Sequence, residues 1–144
     1  MDARELTLCA EVGYEVLRRY KQAVGVAPGP IWAVAGTECQ ARMVEAAKYA
    51  LSHTAAQLHG WMLKKRLQHK DEERECSLFG QLAPWNKLVL GDRVRYGLFK
   101  DVVTRLSEAL SEAGWSPEEA ARRIISDVAP RGQEKVEPWF EMVG

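Results

Sequence analysis

The sequence is poor in the features that announce a chemistry. Its 144 residues hold three cysteines and three histidines, and 20 basic residues balance 20 acidic ones. Cys9, Cys39 and Cys76 are odd in number and widely spaced. They do not read as a disulfide scaffold, and a reducing cytoplasm is the expected compartment. No Cys-x-x-Cys pair occurs, and neighbouring members of the set His53, His59 and His69 miss the i, i+3 or i, i+4 spacing of helical ligands. Neither a structural metal nor a cofactor is therefore expected. The charge balance, with a pI near 6.8, gives no general attraction to nucleic acid or to an anionic membrane. No apolar run approaches the ~20 residues that cross a bilayer. The start Met1-Asp2-Ala3-Arg4-Glu5 lacks the basic stretch and apolar run of a secretory leader. No Gly-x-Ser-x-Gly elbow and no Gly-x4-Gly-Lys-Ser/Thr loop is present. The chain is not expected to be an enzyme.

What is present is helical periodicity. The hydrophobic fraction of 47% excludes disorder for the bulk of the chain. The length suits a single domain over residues 1–144. Asp2 and Glu5 form a capping-box pattern ahead of a first helix, whose stripe is Leu6, Cys9, Val12, Val16, Leu17, Tyr20 and Val24. Gly25, Pro28, Gly29 and Pro30 stop it. Thr37 is placed to cap a second helix, with Cys39, Met43, Ala46, Ala47, Ala50 and Leu51 on one face. Ser52-His53-Thr54 interrupts, because hydroxyl side chains compete for backbone groups. A third helix carries Leu58, Trp61 and Met62, with Lys64, Lys65 and Arg66 on its other side.

Residues 76–90 have no clean period and read as an irregular connection with room for a short strand pair. The next helix opens at Gly91-Asp92 and shows the densest stripe, Tyr96, Leu98, Phe99, Val102, Val103, Leu106 and Leu110, with Gly114 closing it. Ser116-Pro117-Glu118-Glu119 starts a last helix. Residues 115–144 are that helix and a tail broken at Pro130, Gly132 and Pro138, with Trp139-Phe140 expected to dock on the body. The fold class is mainly α: a compact bundle of about five helices.

Three constellations bear on function. His53, His59 and Asp92 can supply a general base and its orienter. No nucleophile stands at a telling spacing, so His59 reads as packing near Trp61 and His53 as closing a helix break. The last two helices can be read as helix–turn–helix. Yet Glu118 and Glu119 begin the second of them, where carboxylates repel phosphates. The third constellation is the strongest. Lys64, Lys65, Arg66, Lys70, Arg93, Arg95 and Lys100 converge if the central helices pack together. Trp61 and Lys65 are one helical turn apart, Trp85 sits in the connection, and Arg93 and Arg95 oppose the dipole of the helix they begin. The expectation is that Trp61, Lys65, Trp85, Arg93, Arg95 and Tyr96 surround one concave ligand site. There cations would hold phosphate and rings would stack a base.

The motifs Trp61-x3-Lys65, Pro84-Trp85-x-x-Leu88 and Leu98-Phe99-x-x-Val102-Val103 occur in this order. In them the chain resembles the RyR domain, the repeat first named in ryanodine receptors and also found singly in bacterial and phage proteins. Cys9 with a helical Tyr, the Gly-Pro loop and Trp32 look like the N-terminal extension of the phage proteins, so the likeness spans residues 6–110. It departs from the family in a shorter Trp61-to-Pro84 interval, in lacking the Gly-Trp-x-Tyr-Gly turn, in Phe79-Gly80 standing where His-Pro would be, and in Tyr96 where an acidic residue is usual. The resemblance implies a small α-rich, non-catalytic module that binds a nucleotide-like or other phosphorylated ligand and pairs as a homodimer. A protein-binding adaptor and a helix–turn–helix regulator are the alternatives. No membrane partner is expected, and nucleic acid is disfavoured.

Overall fold

The computed structural model describes residues 2–68, 84–87, 90–112 and 116–133. Five helices build it: α1 Ala3–Ala23, α2 Thr37–Ala50, α3 Ala55–Gln68, α4 Leu90–Ser111 and α5 Pro117–Gln133. Short 3₁₀ turns stand at Trp32–Val34 and Trp85–Lys87. Among the described residues there is no strand. Most of the connection at 76–90 lies outside them, as do Gly114, Trp115 and the Trp139-Phe140 tail.

α1 begins as its sequence dictates. The Asp2 side chain accepts from Glu5 N–H at 2.8 Å, and the Glu5 carboxylate accepts from Asp2 N–H at 3.1 Å. It ends in a Schellman turn: Val26 N–H donates to Lys21 C=O, Gly25 N–H to Gln22 C=O, and Gly25 takes φ +82°. Between these ends more than half of the circumference is buried, at Cys9, Ala10, Val12, Gly13, Tyr14, Val16, Leu17 and Lys21. The stripe read from the sequence is thus wider than one face, while Val24 is exposed. The reason is that α1 is the central helix and packs on α4, α2 and α5.

α1 and α4 run antiparallel. Phe99 lies over Gly13, where a Cβ would come within 2.6 Å of its ring, and the Tyr20 hydroxyl stands 3.8 Å from the Cβ position of Gly91. Glycine at 13 is what lets an aromatic ring sit directly on the α1 backbone. Phe99, Val102, Val103 and Leu106 are fully buried, whereas Leu98 is only partly so. α2 contributes Met43 and the small residues Ala46, Ala47 and Ala50, α3 adds Leu58 and Met62, and α5 adds Ala120, Ala121 and Ile124.

Three local expectations are corrected. The residue preceding α2 is Gly36 at φ +94°, and Thr37 is already helical and makes no cap. α5 runs through Pro130 to Gln133. Proline forfeits one N–H there, but its fixed φ near −65° is itself helical. Cys39 is disulfide-bonded, against the expectation of reduced cysteines, and Cys9 keeps its thiol outside any disulfide. Finally, the interruption at 52–54 holds, but it also contains an unforeseen cap. Gln57 N–H donates to Thr54 Oγ1 and Thr54 N–H to the Gln57 side chain. No helix among the described residues is long and apolar enough to cross a membrane.

Candidate functional site

α3 presents two flanks, and the expected site residues divide between them. Residues two apart on a helix point about 200° away from each other. His59 and Trp61 therefore face opposite sides.

On the Trp61 flank, three rings lie nearly parallel across the α2–α3 corner. His53 stacks on Tyr49 at 3.7 Å between centroids, and Tyr49 stacks on Trp61 at 5.3 Å. Lys65 Nζ is 5.6 Å from the Trp61 ring and 3.8 Å from the Glu45 carboxylate. His53 Nδ1 meets the Tyr49 carbonyl at 2.9 Å, and Lys100 Nζ donates to the Ala50 carbonyl at 2.7 Å. The Lys100 contact satisfies a carbonyl at the end of α2, and the Tyr49 carbonyl also accepts from Ser52 N–H at 3.2 Å. This corner explains itself as a joint between two helices.

On the His59 flank, the 3₁₀ turn brings Trp85 against α4. Trp85 lies 6.1 Å from Tyr96 and 5.8 Å from His59, and His59 meets Tyr96 edge-on at 4.8 Å. The Arg93 guanidinium stands 5.7 Å from the Trp85 ring, and Arg93 Nε donates to the Trp85 carbonyl at 3.0 Å. His59 and Tyr96 are buried, while Trp85 and Arg93 are half-buried and face outward over them. Asp92 and Arg95 are buried alongside as an ion pair at 3.6 Å.

The structure therefore brings Trp85, Arg93 and Tyr96 together and adds His59, which the sequence placed near Trp61. It sets Trp61 and Lys65 on the other flank. Arg95 lies inward, beside Asp92 and close enough to Lys21 to influence its charge. Lys21 was missed, although its position continues the buried series of Leu17 at an i, i+4 step, and that register was the signal. Burial first, then the cations Arg95 and Arg18, hold its ammonium below the ordinary lysine pKa.

Elsewhere two groups shift in the opposite sense. Burial, with a smaller push from Glu5, raises the Cys9 thiol to about 11. Burial also raises the Tyr14 phenol, whose hydroxyl donates to the Pro30 carbonyl while its ring meets Trp32 edge-on. Cys9 is thereby kept as an unreactive thiol, and Tyr14 serves to fasten the loop after α1.

Rings bordered by guanidinium and ammonium groups recognise planar, anionic molecules through stacking and charge. Comparison with known proteins adds nothing to this geometry: no family model matches the chain, and no curated protein or solved structure does.

Proposed function

We propose that the chain is a non-catalytic binding module for a small nucleotide-like or otherwise phosphorylated ligand, taken at the His59 flank of α3. The observation that carries this reading is the density of polar and aromatic groups where α3 meets the start of α4. Trp85 and Arg93 stand over buried His59 and Tyr96, and Asp92, Arg95 and Lys21 are buried beside them. A core built for stability alone fills such a junction with apolar side chains, because buried charges cost more than they return unless fully paired. The resemblance of Pro84-Trp85-x-x-Leu88 to the RyR domain points to the same turn.

The test is thermal unfolding of the full chain with and without a panel of nucleotides. A ligand at about a hundred times its dissociation constant adds roughly 2.7 kcal/mol of stability. Trp85→Leu and Arg93→Ala should fold and lose that increment. A panel with no stabiliser refutes the reading, and a steep salt dependence with duplex DNA would favour a nucleic-acid regulator instead.

A second reading, a dimeric adaptor, has its own observation. The stripe on α1 that suggested a dimer is covered inside the chain by α2, α4 and α5. The exposed large apolar residues among those described lie instead after α1, at Val24, Val26, Ile31 and Val34, and at the start of α4, at Leu90 and Val94, with Val34 68% and Leu90 75% exposed. Light scattering at high micromolar concentration that reports a monomer removes this alternative.

A further inference from the structure

The chain from Ala23 to Gly36 carries no charged residue, no hydroxyl and no side-chain amide. An uncharged run of this kind ordinarily fills a core. Here residues 24–34 are all exposed or half-buried, with Ile31 51% and Val34 68% exposed. They form a strap along the flank of α1, between its C-terminal turn and the buried Ala35.

The strap is fastened from beneath by its backbone. Tyr14 Oη donates to the Pro30 carbonyl at 2.5 Å, Arg18 Nε to the Gly29 carbonyl at 3.2 Å, and Gln40 Nε2 to the Trp32 carbonyl at 2.7 Å. Trp32 meets the Tyr14 ring edge-on at 5.4 Å. Gly25, Val26 and Val34 donate their N–H groups to nearby backbone carbonyls, and Pro28 and Pro30 have none to offer. Much of the polar backbone is thus engaged within the chain, while apolar side chains face out. Ile31 and Val34 stand together, because positions three apart eclipse on a 3₁₀ turn. A loop that only connects two helices is served better by polar side chains. Held in advance, the strap also loses little conformational freedom when something covers it.

Charge and area narrow what covers it. The strap has no charge with which to select a partner of opposite sign, and 20 basic against 20 acidic residues leave no net repulsion between two copies. Its exposed surface is on the order of 500 Å², within the range of patches that mark interaction sites. Two such surfaces face to face bury about 1,000 Å², the low end of specific interfaces and the size of a reversible contact.

We propose that residues 24–34 are the surface on which a second copy of this chain docks, strap against strap about a two-fold axis. This assigns a face to the dimeric reading above, on which it rests, and does not draw on the ligand reading.

The experiment is light scattering and sedimentation of the full chain from low to high micromolar concentration. The mass should rise from one chain to two and return to one on dilution. Ile31→Asp and Val34→Asp change side chains that are already more than half exposed, so the unfolding midpoint of the dilute chain should stay where it is. Each should raise the dimer dissociation constant at least tenfold, because a two-fold contact sets every new carboxylate near its own copy. Val94→Asp, on α4 and outside the strap, should leave association unchanged. A monomer at every concentration overturns the strap contact and the dimeric reading together. A dimer that persists in Ile31→Asp and Val34→Asp, or is lost in Val94→Asp alone, overturns the strap contact and leaves the dimeric reading standing. A monomer that sediments with phosphatidylcholine vesicles, and ceases to in Val34→Asp, gives the strap to a lipid surface and overturns the proposal.

Discussion

The α1–α4 seam changes character along its length. Around Gly13 and Phe99 it is apolar and closely fitted, with Val16, Leu17, Val102, Val103 and Leu106 fully or almost fully buried. About two turns further, around Lys21, Asp92 and Arg95, the same two helices bury charge. Both ends exclude water to a similar degree, so burial alone does not tell them apart. The difference lies in what each buried group loses. A methyl group entering the first end gains contacts, whereas a charged group entering the second gives up hydration that an ion pair such as Asp92–Arg95 must offset. The first end accounts for stability, and the second calls for another explanation.

That contrast breaks most sharply at Phe99. Phe99→Ala should cost about 3–5 kcal/mol, read as a lower urea midpoint with an unchanged slope. A cost below about 1 kcal/mol would mean that the seam is not the centre of the fold.

Cys9 lies in the same apolar stretch, and its expected effect is next in size. Burial raises its pKa from the ordinary 9.0 to about 11. The thiol's contribution is therefore complete below pH 9 and is lost as pH rises through the folded value, by about 2–3 kcal/mol at 1.36 kcal/mol per unit. Cys9→Ala should flatten unfolding free energy between pH 9 and 11, and native Cys9 should resist a thiol reagent at pH 8. Rapid labelling would show that this end of the seam is open.

Gly13→Ala sharpens the comparison with a single methyl group. The added Cβ meets the Phe99 ring at 2.6 Å, and overpacking of this kind costs about 1–3 kcal/mol. Phe99→Leu in the same chain should recover part of that loss, because the two sites are coupled through one contact. Equal, additive costs would place the clash elsewhere.

The smallest effect belongs to the charged end. Arg93→Met should change stability by no more than about 1 kcal/mol, since the contact with the half-buried Trp85 is of the exposed cation–π kind. It should nonetheless alter Trp85 emission, measured in a chain whose other tryptophans are replaced by phenylalanine. A loss of several kcal/mol would make Arg93 a structural clamp rather than a binding group.

Much of the architecture was legible from local chemistry. The Asp2–Glu5 box, the Gly25 stop and the Ser116-Pro117 start each act within a few residues, and all three operate as their spacing implies. Thr37 was misjudged for a reason equally local: Gly36 reaches a left-handed φ of +94° that a threonine would resist. The site was less legible. Trp61 and Lys65 do share a face, as helical spacing requires, and Arg93 does reach Trp85. Spacing within α3 could not reveal that His59, two residues from Trp61, faces the other way toward Tyr96.

The sequence by itself determined five helices, the N-terminal caps of α1 and α5 and the apolar residues of α4, because turns, caps and periodicity depend on neighbours a few positions apart. Only the tertiary structure decided that α1 packs on three other helices, that α1 and α4 run antiparallel so that Gly13 meets Phe99, and that His59 meets Tyr96. Those facts depend on which helices pack together and in what direction. A charge at position 21 is ordinary on an isolated helix. Its burial follows from how the helices pack, which local sequence does not encode.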